Sequence, residues 1–190
     1  MADTASAPRG RPITADEFDA LPIDTSHRYE IEDGFLLVNA RPAAPHSRAI
    51  KRLLIQLDSQ LPVGYEAFAE LEAELIGRSP RPVPDVVVAD SAVGDQQRVR
   101  ADQIEVAIEI ATSGESAVRD YAVKAGEYAA NSIAHYWVID ILDPTSVGLT
   151  VYTLDQGEYR ITPRATGSVA LSAPFPLTID LDALTGARRV

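Results

Sequence analysis

The run Val86-Val87-Val88 is the feature that most narrows the folds open to this chain. Consecutive β-branched residues favour a strand, and a strand without polar alternation is typical of one that is covered on both faces. A second strand is predicted close by, because Ile104, Val106, Ile108 and Ile110 recur at every second position. The chain therefore requires a sheet with other elements packed against both of its faces.

Helices are predicted to supply these covering layers. A short helix begins after Thr14, where Glu17 three residues on completes a capping-box pattern, and it extends to about Ala20. Another helix is predicted over residues 115–130. The clearest helix spans residues 46–61, where apolar-face residues recur at i, i+3, i+4 and i+7: His46, Ala49, Ile50, Leu53, Leu54, Leu57 and Leu61.

The remaining strands complete a mixed sheet. A hairpin is predicted through Asp33-Gly34, and a second one around Asp155-Gln156-Gly157. Further strands are predicted over residues 65–76, 83–89 and 135–139, whereas residues 90–103 are interpreted as irregular. This order predicts an α/β or mixed α+β fold, with one mixed central sheet flanked by helices. The regular βαβ alternation and the glycine motifs of dinucleotide- or nucleotide-binding domains are absent.

Length and composition indicate one domain without a membrane segment. The 190 residues predict a domain over residues 13–183, a flexible N-terminal arm over 1–12 and a C-terminal tail over 184–190. The first residues lack the apolar stretch of a secretory signal, and no apolar run approaches the roughly 20 residues of a membrane helix. The sequence has no cysteine, which excludes disulfides and thiolate metal sites and suits a cytoplasmic protein.

The charge of the chain bears on its partners. A net charge of −11 argues against broad, non-specific binding to nucleic acid, which depends on neutralising phosphates. A site built from carboxylates is itself acidic until a cation binds, so the total charge does not exclude a nuclease. Only two of the 17 basic residues are lysines, Lys51 and Lys124, which draws attention to each of them.

Three charged residues lie where a charge is costly. Asp85 opens an apolar strand, Glu109 lies inside the apolar run 107–110, and Lys124 lies on the helix that follows. Two carboxylates brought together repel unless a cation lies between them, and Mg²⁺ prefers such oxygen ligands. The alternative is that Asp85 caps a turn, Glu109 pairs with an arginine and Lys124 pairs with Asp120 at i, i+4.

Several segments, taken in order, resemble the Uma-type family of restriction-endonuclease-like proteins in the PD-(D/E)XK nuclease superfamily. The resemblance covers about residues 13–160 and is carried by Tyr29-Glu30-Ile31-Glu32-Asp33-Gly34, His46, Val83-Pro84-Asp85-Val86-Val87-Val88, Ile108-Glu109-Ile110, Asp120-Tyr121-Ala122-Val123-Lys124, Tyr128 and Tyr136-Trp137-Val138-Ile139-Asp140. It implies a restriction-endonuclease-like fold, DNA as a partner and Mg²⁺ or Mn²⁺ as a cofactor.

The resemblance also assigns roles to particular residues. Asp85 and Glu109 are implied to be metal ligands, and Lys124 to be the catalytic lysine, moved from the strand to the next helix. Glu30 is implied to be an additional acid of the site. His46 is interpreted as a packed or capping residue, Asp120 as a residue that holds Lys124 in place, and the aromatic residues Tyr128 and Trp137 as core.

Two functions remain open at this point. The first is a metal-dependent endonuclease that hydrolyses DNA phosphodiester bonds, and a homodimer would suit cleavage of two strands. The second is a catalytically silent module of the same fold that acts through protein binding or self-association. The set Asp85, Glu109 and Lys124 favours the first. The acidic charge favours the second, as does the turn Ala111-Thr112-Ser113-Gly114-Glu115, which lacks the proline usual in the family.

Overall fold

The computed structural model describes residues 12–22, 28–32, 34–39, 43–112 and 120–186. Its α-helices are α1 (Ala15–Asp19), α2 (Ala44–Asp58), α3 (Ala125–Ala130) and α4 (Asp182–Thr185). Its strands are β1 (Arg28–Glu32), β2 (Phe35–Asn39), β3 (Tyr65–Ala69), β4 (Glu72–Glu74), β5 (Val86–Asp90), β6 (Arg98–Arg100), β7 (Ile104–Ala111), β8 (His135–Asp140), β9 (Gly148–Asp155), β10 (Glu158–Ile161), β11 (Ala165–Thr166), β12 (Ser168–Leu171) and β13 (Leu177–Asp180).

The central sheet is mixed. Its strands follow the order β10-β9-β8-β7-β5-β3, and β11 also pairs with β9. Strands β7 and β8 run parallel, whereas the other neighbouring pairs are antiparallel. Because β7 and β8 are parallel, the chain between them must cross back along the sheet, and α3 lies in that connection. The prediction of one mixed sheet with flanking helices is confirmed.

Both faces of this sheet are covered, as the valine run predicts. On one face, Leu53 and Leu57 of α2 pack in a core with Val88 and Ile108. On the other face, residues of alternate positions in the same strands form a second core that includes Tyr128 of α3. The members of this second core from the central sheet are Val87, Ala89, Ile104, Ala107, Ala111, Tyr136, Val138 and Tyr152. The site described below lies at one end of the sheet, between these two layers.

Most predicted elements form, but several boundaries differ. Helix α2 begins two residues earlier than predicted, since Pro45 fits the first turn, and it ends at Asp58 rather than Leu61. The strand predicted over 65–76 is divided in two, because Glu70 adopts a φ of 50°. Its second part, β4, pairs with β6 in a separate parallel sheet, and β6 lies in the segment interpreted as irregular.

The ends of the chain show one further element. Helix α4 was not predicted, and its Leu184, assigned to the C-terminal tail from the sequence, is buried against the core that contains α2. The predicted capping box of α1 is confirmed: Thr14 and Glu17 exchange hydrogen bonds between side chain and backbone. None of the helices among the described residues has the length and apolar character needed to cross a membrane.

An ion-pair cluster fastens α1 to the sheet of β4 and β6. Arg81, which is almost fully buried, donates to Asp19 at 3.1 Å, and Arg98 donates to the same carboxylate at 2.6 Å. Arg98 also pairs with Glu72 of β4. The hydrogen bond from Arg81 is the main cause that lowers the pKa of Asp19, so this aspartate stays charged within the cluster.

Candidate active site

The register of two strands brings together the carboxylates predicted from the sequence. Val86 of β5 is paired with Ile108 of β7 in an antiparallel register. Asp85 directly precedes β5 and Glu109 directly follows Ile108, so both acids lie at the same end of this strand pair. Both side chains are buried, with 4% and 2% of their surface exposed. The Ile110 amide, next to Glu109, donates to Asp85, so two buried acids lie close together at this end of the sheet.

Asp85 is held by donors on both oxygens. Its Oδ2 accepts a hydrogen bond of 2.8 Å from the backbone N–H of Ile110, and its Oδ1 lies 3.1 Å from Nε2 of His46. Burial raises the pKa of Asp85, but His46, Lys124 and the Ile110 amide together outweigh it and bring the pKa below its usual value. Because an ionised carboxylate only accepts hydrogen bonds, Nε2 of His46 is the donor here.

Glu109 receives two donors on one oxygen. Its Oε1 lies 2.6 Å from Nζ of Lys124 and accepts a second hydrogen bond of 2.9 Å from the hydroxyl of Tyr128. Burial raises the pKa of Tyr128, and the charge of Glu109 raises it further, so the hydroxyl keeps its proton and remains a donor. Lys124 and Tyr128 thus both contact Glu109.

The local helix geometry explains how Lys124 and Tyr128 reach the same oxygen. They are four residues apart, which places them on one face of the helical segment. Lys124 ends a π-helical turn, Asp120–Lys124, and α3 continues from it. Such turns are uncommon and often occur at functional sites. The side chain of Asp120, predicted to hold Lys124, lies outside the described residues.

Glu30 lies close to this group. It belongs to β1, only 5% of its surface is exposed, and its charge is one of those that raise the pKa of Tyr128. The hairpin of β1 and β2 thus places a third acidic side chain near Tyr128 of α3. Its role as an additional acid of the site stays a prediction.

Two residues of the site were given other roles from the sequence. His46 was interpreted as packed or capping, but it contacts Asp85. Tyr128 was interpreted as core, and it is fully buried, but its hydroxyl also contacts Glu109. The spacing from Lys124 to Tyr128 was visible in the sequence, whereas the contact of His46 depends on where α2 crosses the sheet. Trp137 is core on the opposite face.

The donor set suits a hard divalent cation. No group of three or more His, Asp or Glu side chains that could hold a metal ion is found among the described residues. Mg²⁺, however, is commonly bound through one or two carboxylates, with waters and substrate phosphates as its other ligands. Asp85 and Glu109 provide such a pair, and cysteine, which softer metals prefer, is absent from the sequence.

Comparison with known proteins adds the decisive observation. The family model of Uma2, described as "Putative restriction endonuclease", matches residues 15–183. The chain belongs to the Uma2 family. The resemblance to the Uma-type family, stated from the sequence, is therefore confirmed. Membership in Uma2 supports a nuclease function. Restriction-endonuclease-like families generally use divalent metals, in keeping with the two carboxylates of this Uma2 chain.

A solved structure supports the fold of this Uma2 protein. The chain is similar to the crystal structure of a "putative nuclease belonging to DUF820 from Anabaena variabilis", with a TM-score of 0.67 and 21% sequence identity. The similarity covers 92% of this chain and 98% of that one. At this identity the likeness concerns the fold, and it confirms the predicted fold class. No curated protein matches the sequence.

Proposed function

We propose that this Uma2 protein is a Mg²⁺- or Mn²⁺-dependent endonuclease that hydrolyses phosphodiester bonds in DNA. One observation carries the proposal: Asp85 accepts a hydrogen bond from the backbone amide of Ile110, the residue next to Glu109, and Nζ of Lys124 lies 2.6 Å from Glu109. Charges in such a buried setting require a partner or a function. Two acids and a lysine that converge at one end of a sheet suit the hydrolysis of a charged ester.

Asp85 and Glu109 would hold the divalent ion, and Lys124 would serve the attacking water. When bound, the ion supplies positive charge to the scissile phosphate and lowers the pKa of water. The ammonium of Lys124, which reaches the carboxylates from α3, can orient the water or neutralise charge that develops on the phosphate oxygens. His46 and the Ile110 amide keep Asp85 in place during this chemistry.

Because the chain is acidic overall, binding to DNA requires basic residues near the site. Arg48 and Lys51 are exposed on α2, within five residues of His46. At the rise of an α-helix, they lie about 8 Å or less along the axis from the residue that contacts Asp85. We propose that this basic part of α2 contacts backbone phosphates beside the site, despite the net charge of −11.

The test is cleavage of supercoiled plasmid by purified protein with Mn²⁺ or Mg²⁺, with EDTA as a blank. We expect nicked or linear product from the wild type and a rate reduced by about 100-fold or more in Asp85→Asn, Glu109→Gln and Lys124→Met. Asp95→Asn is the matched control, since it makes the same change at an exposed residue beyond the other end of β5. Equal cleavage by the wild type and Asp85→Asn refutes the proposal.

The silent-module alternative has its own outcome in this experiment. A folded wild type that leaves the plasmid intact with either metal, over a range of ionic strength, supports that alternative. We include a homodimer in the nuclease proposal, because cleavage of two strands needs two sites. Sedimentation at several protein concentrations tests it. A cytoplasmic place of action is also part of the proposal and accords with the absence of cysteine.

A further inference from the structure

The hydroxyl of Tyr128 shares its acceptor with the proposed catalytic lysine. Both groups donate to Oε1 of Glu109, at 2.9 Å from Tyr128 and 2.6 Å from Lys124. Tyr128 is fully buried, so its hydrogen bond lies where water does not compete. Its role therefore extends beyond filling the core.

The ring of Tyr128 is held rigidly by other aromatic residues. It packs edge-on against Tyr136 of β8, with ring centroids 5.1 Å apart and an interplanar angle of 76°. Tyr136 in turn packs against Tyr152 of β9 and Tyr159 of β10. The hydroxyl is thus positioned by the central sheet itself, through three of its strands.

Lys124 is a different kind of donor. Its ammonium is carried on a flexible four-carbon chain, and 12% of its side chain is exposed. Its ammonium has three N–H donors, so in the reaction it can turn toward water or phosphate and weaken its contact with Glu109. The terminal torsion of a glutamate is broad, so a carboxylate that loses one of its donors can rotate.

We propose that Tyr128 is a positioning residue that keeps the Glu109 carboxylate aligned for the metal while Lys124 changes partner. This inference rests on the proposed function. In this inference the two donors to Oε1 of Glu109 differ in role. The hydroxyl of Tyr128 keeps its position in the core, whereas the ammonium of Lys124 moves. Positioning groups of this kind commonly change metal affinity or activity by 10- to 100-fold when they are removed.

The test measures Mn²⁺ binding by calorimetry without DNA, with the melting temperature of each variant recorded. We expect Tyr128→Phe, which removes one oxygen atom, to weaken Mn²⁺ binding by about 10-fold or more. Tyr159→Phe is the matched control, because it also removes one hydroxyl from this group of aromatic side chains. The hydroxyl of Tyr159 donates to the backbone carbonyl of Ile133 at 2.8 Å, away from Glu109. It should bind Mn²⁺ within about twofold of the wild type.

Lys124 provides a contrasting result. Lys124→Met should abolish cleavage but bind Mn²⁺ at least as tightly as the wild type, because Tyr128 still holds Glu109 and a competing cation is gone. The double variant Tyr128→Phe with Lys124→Met should lose more affinity than the two single changes together, because the hydroxyl and the ammonium that donate to Oε1 of Glu109 are then both removed.

The outcomes separate this inference from the proposed function. If the wild type binds no Mn²⁺, both fail. If the wild type binds Mn²⁺ and cleaves DNA, but Tyr128→Phe binds equally well or Tyr159→Phe is weakened to the same extent, only the inference fails. Should Tyr128→Phe not fold, p-aminophenylalanine at position 128 keeps a donor on the same ring. That variant must bind Mn²⁺ within about threefold of the wild type, and weaker binding overturns the inference.

Discussion

Replacing Lys124 with methionine removes the ammonium beside Glu109 but keeps most of the length of the side chain. Glu109 is 3% exposed and Lys124 12% exposed at the side chain, so their 2.6 Å contact is a buried ion pair. Removing one partner of such a pair costs about 3–5 kcal/mol, because the other charge stays buried. Since Tyr128 still donates to Glu109, we expect the lower end, about 3 kcal/mol. For a chain of this size, that lowers the melting temperature by about 6–12 °C.

The assay is urea unfolding at neutral pH in EDTA, followed by circular dichroism. Lys51→Met is the matched control, because it makes the same change at an exposed position of α2, and it should alter the free energy of unfolding by less than about 0.5 kcal/mol. In a Glu109→Gln background, the cost of Lys124→Met should largely vanish, since no buried charge is left behind. Equal effects of Lys124→Met and Lys51→Met would refute the reasoning.

Two other perturbations test the electrostatics of the fold. The pKa of Asp85 in the folded protein lies below its ordinary value of 3.8, so the stability it contributes is present above that value and is lost as pH falls through the folded pKa. In Asp85→Asn, the free energy of unfolding should therefore fall less steeply as the pH is lowered below about 4. The same pH dependence in the variant and the wild type contradicts this. Arg81→Met should cost about 2 kcal/mol in urea unfolding, because Arg81 is the more buried of the two arginines that pair with Asp19. Arg100→Met, at a pair exposed by more than half, should cost less than about 0.5 kcal/mol, and similar costs for the two arginines would contradict the assignment.

Much of the sheet could be predicted because its strands carry strong local patterns. The valine run and the alternation through Ile108 identify β5 and β7 without reference to any other part of the chain. The division of the strand over 65–76 could not be predicted, because it depends on a positive φ at Glu70. A glutamate rarely adopts such a φ, and the local sequence does not indicate it. Helix α4 is only four residues long and gains its stability by burying Leu184, which is a tertiary effect.

The site divides in the same way. The sequence shows that Asp85, Glu109 and Lys124 are charges in apolar surroundings, and this is a local property. That Asp85 lies close to Glu109 depends on the register between β5 and β7, which no single strand specifies. The contact of His46 with Asp85 could not be predicted, because it requires the first turn of α2 to lie beside Asp85. Tyr128 is buried as predicted, but a pattern that predicts core does not reveal that its hydroxyl contacts Glu109.

Because β7 pairs with β8 in parallel, the position of the lysine in the sequence can vary more than the positions of the two acids. After Glu109 the chain must leave the sheet at its acidic end and travel back before β8 can begin. A cation on the helix of that crossover can reach the carboxylates, and so could one at position 111, which points to the same side of β7 as Glu109. Alanine occupies that position here, and the cation that contacts Glu109 comes from position 124. In the proposed nuclease, the chemistry depends on a place in the fold rather than on a fixed interval in the sequence. A sequence signature that demands a fixed interval between acid and lysine would therefore miss this protein.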